Sequence, residues 1–322
     1  MKKIFIALMA MVALASCGKS DDNEGAIQEG AFPKKITVTY PKNNESTVIV
    51  YNIQNDKILS FTKTEYSNGV QTGTTENTKI EYNGNLIKQI KSGEPSSEDY
   101  SIIDYHYDGQ GRLVRQTIVE PNDDDAKTET YEYSYIGDQL SKEVHIYPST
   151  TYINGQEKKI NRHNEKVLEY NGNIITVNEI STSRDGNGNV VSGTSTHTNT
   201  IVYTLSNGNL VKKVENQITT EYLYDTNTNP MPLNKLRKTT DPIYFLSPDM
   251  SKNNLIKTEK TYIGYQGVEV KTIITQDLTY NEKGYPTMNK KYRQEGNNPK
   301  ELSSITAVSY THLRAHETPE HL

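Results

Sequence analysis

The chain has 322 residues, a formal net charge of -5 and a hydrophobic share of only 33%, with 23 Tyr, four Phe, no Trp and one Cys. A modest negative charge with no basic stripe argues against nucleic acid as a partner. A single thiol excludes an internal disulfide, and an apolar share well below the roughly 45–50% of ordinary domains argues against a thick core. Tyrosine is the exception in this composition, since its ring packs while its hydroxyl stays solvated, which suits a sheet wetted on one side.

The chain opens with MKKIFIALMAMVALASCGKSDDNEG. Lys2 and Lys3 precede an apolar run from Ile4 to Leu14, which is a secretory signal and falls short of the about 20 residues that span a bilayer. Leu14, Ala15, Ser16 and Cys17 together resemble a bacterial lipobox. The resemblance implies cleavage after residue 16, a diacylglycerol on the Cys17 sulfur, and a tether over 17–33. Several acyl chains, each contributing about 0.8 kcal/mol per buried methylene, hold a protein to a membrane durably. The acidic stretch after Cys17 resembles the export tag of a Gram-negative phylum that displays lipoproteins on the outer face of its outer membrane. The expected location is therefore the outer membrane, lipid-anchored and facing the exterior, with the periplasmic face as the alternative.

A degenerate tile then recurs: KIEYNGNLIKQIKS from Lys79, IIDYHYDGQGRLVRQTIVE from Ile102, TYEYSYIGDQLSKEVHIY from Thr130, KVLEYNGNIITVNEI from Lys166, TIVYTLSNGNLVKKVENQI from Thr200 and DLTYNEKGYPTMNKKYRQ from Asp277. Each is a strand bearing Tyr, a Gly turn usually with Asn or Asp, an apolar residue and a second alternating strand. Asn-Gly and Asp-Gly supply the positive φ angles of tight hairpin turns. Tyr105 with Tyr107, Tyr131 with Tyr133 and Tyr135, and Tyr222 with Tyr224 lie two apart, so each set projects from one strand face. The stretch from Leu210 to Tyr224 alternates throughout and predicts one strand extending about 50 Å at roughly 3.3 Å per residue.

The tile resembles the YD repeat of Rhs-type proteins and, more closely, repeat-bearing bacterial lipoproteins, including an uncharacterised family with a porin-like β fold. Tyr107-Asp108-Gly109-Gln110-Gly111-Arg112-Leu113 is its nearest match, and the likeness runs from about Lys34 to Gln294. The resemblance brings no catalytic residues with it. A lipid-facing strand needs an outward apolar band, and here the second parity is mostly Lys, Glu, Thr, Gln and Asn. The expectation is an all-β domain over 34–306: a long antiparallel hairpin meander, curled or closed into a barrel-like sheet, water-soluble and held to the membrane by its lipid alone.

One stretch, 226–258, breaks the alternation and carries Pro230, Pro232, Pro242 and Pro248. Its apolar knot of Ile243, Tyr244, Phe245 and Leu246 is expected either to plug one end of the sheet or to line a ligand groove, with the plug favoured. Ser251-Lys252-Asn253-Asn254 resembles a feature of the same lipoprotein family. Asp185-Gly186-Asn187-Gly188-Asn189 begins like a calcium loop but has Val190 and Thr196 where Gly and Glu are required, so a hairpin turn is the better reading. His106 is expected on the exposed strand face, and Asp123-Asp124-Asp125 in a loop.

Residues Ser309 to Thr318 back-translate as a sequencing-library adapter. The segment 307–322, with His312, His316 and His321, is therefore set aside. No residue is nominated as catalytic or metal-ligating, and no cofactor is implied. The leading expectation is a binding or scaffolding role toward a glycan or protein ligand. The alternatives are a cell-envelope glycan hydrolase with carboxylates inside the sheet, and an envelope or secretion assembly accessory.

Overall fold

The structure is a computed structural model that describes residues 32–310 apart from 56, 95–99, 121–126 and 230–239. Its strands in chain order begin with β1 (Pro33–Tyr40), β2 (Glu45–Gln54), β3 (Lys57–Ser67), β4 (Val70–Asn83), β5 (Leu86–Gly93) and β6 (Tyr100–Tyr107). Next come β7 (Leu113–Glu120), β8 (Lys127–Ile136), β9 (Gln139–Ile153), β10 (Gln156–Asn171), β11 (Ile174–Arg184) and β12 (His197–Ser206). The last are β13 (Asn209–Glu215), β14 (Ile218–Thr228), β15 (Asn253–Ile263), β16 (Glu269–Tyr280), β17 (Pro286–Glu295) and β18 (Glu301–Tyr310). Every strand pairs antiparallel with its chain neighbours, and β1 pairs with both β2 and β18, so the sheet is an 18-stranded closed barrel. Closure leaves no row of unpaired backbone groups for another chain to join.

Alternating strand direction sorts the connections onto two ends. Turns that follow even-numbered strands lie at one end, together with Phe32 and Tyr310, and turns that follow odd-numbered strands lie at the other. The two-residue turns use left-handed backbone as expected: Asn68-Gly69, Asn154-Gly155 and Asn207-Gly208 all have positive φ.

The longer tile corner is a hydrogen-bonded device. Asp108 Oδ1 accepts from the backbone N–H of Gln110 at 2.9 Å and of Arg112 at 3.0 Å. Asp185 Oδ1 does the same for Asn187 and Asn189, both at 2.9 Å, and Asn281 Oδ1 for Lys283 and Tyr285 at 3.0 and 2.9 Å. In each corner the glycine at the fourth position takes the left-handed φ, 76° at Gly111, 84° at Gly188 and 78° at Gly284. The second position is free to vary, since Glu282 stands where the other two corners have Gly. The calcium-like loop is thus a hairpin corner whose carboxylate is spent on backbone donors.

Just past its turn, each of several hairpins skips a register step, pairing Ile53 with Ile58, Tyr107 with Leu113, Tyr135 with Leu140, Leu205 with Leu210 and Tyr280 with Pro286. Such a bulge interrupts the ladder beside that residue. The tyrosine of the following tile donates to the carbonyl there: Tyr82 to Ile58 at 3.0 Å, Tyr135 to Leu113 at 2.8 Å, Tyr170 to Leu140 at 2.8 Å, Tyr224 to Leu210 at 2.6 Å and Tyr310 to Pro286 at 2.8 Å. Phe could fill the space but not make this bond, which accounts for tyrosine at these five positions. Burial pushes these phenols up, Tyr82 and Tyr135 each to about 12, so they remain neutral donors.

One face of β1 to β12 and of β18 carries the apolar core, including Ile36, Ile49, Phe61, Ile80, Ile90, Ile103, Leu168 and Val177. In a single-layer barrel only the lumen can cover a face, so this face points inward. The outer face is polar: one row crossing adjacent strands reads Glu132, Val144, Glu165, Ile180, Thr198. Ion pairs decorate it, with Lys142 to Glu165 and Lys257 to Glu259 at 2.8 Å and Lys271 to Glu259 at 3.0 Å.

Three boundaries differ from the sequence reading. The predicted strand from Leu210 to Tyr224 is two strands, because Asn216 and Gln217 take φ of 48° and 65° and turn the chain between β13 and β14. Uninterrupted alternation hid a turn that contains no Gly. The irregular stretch is also shorter than 226–258, since β14 runs to Thr228 and β15 begins at Asn253, pairing with it. At the end of the chain β18 continues to Tyr310, with Val308 in the apolar core. Leu14, Ala15, Ser16, Cys17, Asp123, Asp124 and Asp125 lie outside the described residues.

Candidate functional site

On β8 to β12 the inner face changes character along the strands. Toward the end that carries Phe32, Tyr310 and the turns after even-numbered strands, which we call the corner end, its rows are apolar, as in Leu168, Val177 and Ile201 across β10, β11 and β12. One step toward the opposite end the row reads Tyr133, Glu143, Lys166, Glu179, Asn199, and the next reads Tyr131, His145, Asn164, Ser181, His197. We call that opposite end the polar end.

Lys166 is the pivot of the first row. Its Nζ donates to Glu143 Oε1 at 2.7 Å, and the Glu143 side chain is only 3% exposed. Burial disfavours the ammonium, but Glu143, Glu179 and Asp241 outweigh it and hold the pKa above its ordinary value, so Lys166 stays charged. Glu179 in turn accepts from Asn199 Nδ2 at 3.0 Å, and the same amide reaches Glu215 at 3.0 Å. The Lys213 hydrogen bond at 2.7 Å holds Glu215 below the usual carboxylate range. Asn199 Oδ1, in contrast, is buried without a hydrogen-bond partner.

In the second row His145 is sandwiched between aromatic rings. Its centroid lies 4.0 Å from that of Tyr131, nearly parallel at 6°, and 4.8 Å from that of Tyr147. His145 Nε2 contacts Glu129 Oε2 at 2.9 Å. Burial pushes the Tyr131 and Tyr133 phenols far up, so neither ionises near neutral pH.

Two cavities meet at Lys166 and Glu179. The larger, about 320 Å³, is lined by the inner-row residues Tyr147, Asn164, Ser181, His197 and Asn199 and also by Glu165, Ile180 and Thr198, their neighbours on the outer-face row. The smaller, about 200 Å³, is lined by Val177, Tyr203, Asp241, Ile243, Tyr244 and Leu246.

The apolar knot therefore sits inside the barrel. Asp241 precedes a 3-10 turn, Pro242–Leu246, its backbone carbonyl accepting from the Tyr244 N–H at 3.1 Å, and in the turn Leu246 is buried in the main core while Ile243 and Phe245 pack half-buried against it. Ile243, Tyr244 and Leu246 also face the smaller cavity. The segment is fastened by the four consecutive residues singled out from the sequence. Ser251 Oγ accepts from the Leu210 N–H at 3.0 Å and donates to the Tyr224 hydroxyl at 2.9 Å, and the Lys252 N–H donates to Gly208 O at 3.0 Å. Asn253 exchanges two bonds of 2.9 Å with the Asn209 side chain, and Asn254 donates twice to the Asp225 carboxylate at 3.1 Å. This stretch is a clasp that ties the insertion to the corner end.

His106 is exposed on the outer face, and among the described residues no group of three His, Cys, Asp or Glu is placed to hold a metal ion. The lumenal residues Glu143, Lys166, Glu179 and Asn199 were not nominated from the sequence. A signal existed for Lys166, which shares parity with Leu168 and Tyr170. None existed for Glu143, because the bulge at Ser141 shifts the parity that would have assigned it inward.

No protein-family model matches the chain, and no curated protein does. Among solved structures, the crystal structure of a porin-like protein from Bacteroides uniformis ATCC 8492 resembles it with a TM-score of 0.43 and 12% identity, over 87% of this chain and 98% of that one. A likeness that distant transfers no property.

Proposed function

We propose that the protein is a lipid-anchored envelope barrel that binds a small polar ligand in the polar half of its lumen. The observation that carries this reading is the cavity of about 320 Å³ at the polar rows, where Asn164, Lys166, Glu179, Ser181, His197 and Asn199 converge. Specific small-molecule sites are concave, span about 300–1,000 Å³ and place a few convergent polar groups. The Pro242–Leu246 turn acts as a plug, forming the apolar floor beneath those groups.

The outer face supports anchoring by lipid rather than by spanning. Lys or Arg on a lipid-facing strand costs about 2–4 kcal/mol at the bilayer midplane, and Arg115, Lys142, Lys257 and Lys271 all project outward. Binding is favoured over glycan hydrolysis because Glu143 is committed to Lys166. A glycosidase acid also needs a raised pKa, whereas the displaced carboxylates here, Asp108, Asp185, Glu215 and Glu259, are all held down.

The test is a ligand screen on the chain from residue 17 carrying Cys17→Ser, by thermal shift and then calorimetry, against sugars, amino acids, nucleosides and polyols. A saturable ligand lost in Asn199→Leu and kept in His106→Ala supports the reading; no ligand, or one indifferent to Asn199, overturns it. In cells, Cys17→Ser should move the protein from the membrane to the soluble fraction, and unchanged membrane retention overturns the anchor.

A further inference from the structure

We propose that the larger cavity takes a planar heteroaromatic ring with acceptor atoms at its edge, the chemistry of a nucleobase. The inference rests on the lumenal binding reading above and names the ligand class by three observations.

The first is an unfinished stack of rings. Tyr131, His145 and Tyr147 lie in series, with successive centroids 4.0 and 4.8 Å apart and planes 6° and 29° apart. The contact of His145 Nε2 with Glu129 at 2.9 Å fixes the middle ring. Tyr147 ends the series: among the described residues its one ring partner is His145, and it lines the larger cavity. His145 covers one face of Tyr147, so what Tyr147 offers the cavity is its opposite face or its edge. Offset stacking is a favoured arrangement of π faces, and a flat ligand ring extends the series by one. A puckered sugar meets such a face only through alternate C–H groups.

The second is a donor that reaches the cavity unpaired. Asn164 Oδ1 accepts from Ser181 Oγ at 2.6 Å, which orients the carboxamide. The Asn164 Nδ2 has no hydrogen-bond partner among the described residues and, unlike Asn199 Oδ1, is not sealed in the wall. It keeps two hydrogens for an acceptor. The direct partner of Tyr147 on β10 is Arg162, which makes Asn164 its diagonal neighbour, within side-chain reach of a ring stacked there. Ring nitrogens and carbonyls at the edge of a nucleobase are acceptors of the required kind, whereas an indole or a phenyl ring has none.

The third is a group that answers either polarity. His197 stands opposite Ser181 on β12 and lines the same cavity, and neither of its ring nitrogens has a partner among the described residues. A neutral imidazole presents one donor and one acceptor. Base edges set acceptors beside donors, so a base that takes the Asn164 hydrogens also has a group for His197. The cavity thus joins a flat apolar plate to donors and acceptors along its margin, which is the pattern of a heteroaromatic base.

The experiment titrates adenosine, inosine, uridine, indole and ribose into the chain from residue 17 with Cys17→Ser, by calorimetry and by NMR of the ligand protons. The expected result is saturable binding of at least one nucleoside, its base protons shifted upfield by the ring beneath them, with ribose and indole at least tenfold weaker. Removing the ring under a stacked base weakens binding about 5- to 150-fold, so Tyr147→Leu should lose that much while Tyr147→Phe keeps the affinity. Asn164→Leu should cut affinity at least fivefold, with the fold verified by an unchanged circular dichroism spectrum. Should Tyr147→Leu not fold, the upfield shift in the unmodified barrel decides, and a bound nucleoside without it overturns the inference. Nucleosides that bind no better than ribose or indole, or that are indifferent to Tyr147→Leu, overturn it while leaving the lumenal binding reading intact. Binding confined to sugars, amino acids or polyols does the same. Failure of every small ligand overturns the broader reading as well.

Discussion

Replacing Lys166 by Met keeps the aliphatic stem and deletes the ammonium paired with Glu143 at 2.7 Å. The partners are unequally placed, the Glu143 side chain being 3% exposed and that of Lys166 30%. Deleting the lysine strands a carboxylate where water cannot replace the partner, and breaking a buried pair in this way costs about 3–5 kcal/mol. Glu143→Gln instead leaves an ammonium that borders both cavities with Glu179 and Asp241 still nearby, so its cost falls to the size of one charged hydrogen bond, about 1.5–3 kcal/mol. At roughly 2 °C per kcal/mol for a domain of this size, the melting temperature drops by about 6–10 °C in Lys166→Met and about 3–6 °C in Glu143→Gln. Replacing both partners, Glu143→Leu with Lys166→Met, should recover most of the loss. Thermal and urea melts followed by circular dichroism check this. Equal losses in the two single variants, or a double variant no more stable than Lys166→Met, would refute the pairing argument.

Other consequences follow from the corners and the clasp. Tyr135→Phe, Tyr170→Phe and Tyr224→Phe each remove a hydroxyl that satisfies a bulge carbonyl and should each lower stability by about 1 kcal/mol in urea melts, whereas Tyr265→Phe, at a side chain 90% exposed, should change nothing. Asp108→Asn should keep its corner, because Asn281 fills the same role, while Asp108→Ala should lose it, as read from the order of their melting temperatures. The Arg112 and Asn189 backbone N–H groups hold Asp108 and Asp185 below the usual carboxylate range. Their contribution is therefore present above the unfolded value of about 3.9 and lost as pH falls through the lowered folded values, so acid melts of Asp108→Asn should show a shallower pH slope than the parent. Gly84→Ala meets open space and should cost only the left-handed penalty of about 1–2 kcal/mol. Gly208→Ala should cost visibly more in the same melts, because at φ 80° its Cβ would lie 3.2 Å from the Lys252 Cβ and push on the clasp.

The barrel was legible because its signals are local. Asn-Gly pairs fix turns, tyrosines two apart fix a face, and the polar second parity fixes which side meets water. Closure, the strand count and the site depend on register, and the bulges erase register from the sequence. Ser141 shows how: one unpaired residue separates Leu140 from Glu143, so alternation counted from Leu140 assigns Lys142 inward and Glu143 outward, the reverse of what is found. The turn at Asn216-Gln217 was invisible for a related reason, since Gln adopts left-handed backbone there without the Gly that would have announced it. The Ser251–Asn254 stretch drew notice as a pattern, but its role appears only when Gly208, Asn209 and Asp225 are brought beside it.

The two halves of the lumen have a common cause. About eight strands make a barrel whose interior side chains just fill it, whereas 16 to 18 strands leave an aqueous channel. An 18-stranded barrel therefore cannot dry an isoleucine-rich inner face by closing on itself; something must enter the lumen and cover it. The Pro242–Leu246 turn contributes to that cover beside β9 to β12, where Leu246 joins the core and the Ser251–Asn254 clasp holds the insertion in place. On those same strands the inner rows next to it change to Glu143, Lys166, Glu179 and Asn199. The loop that breaks the repeat therefore supplies both a core side chain and one wall of the smaller cavity.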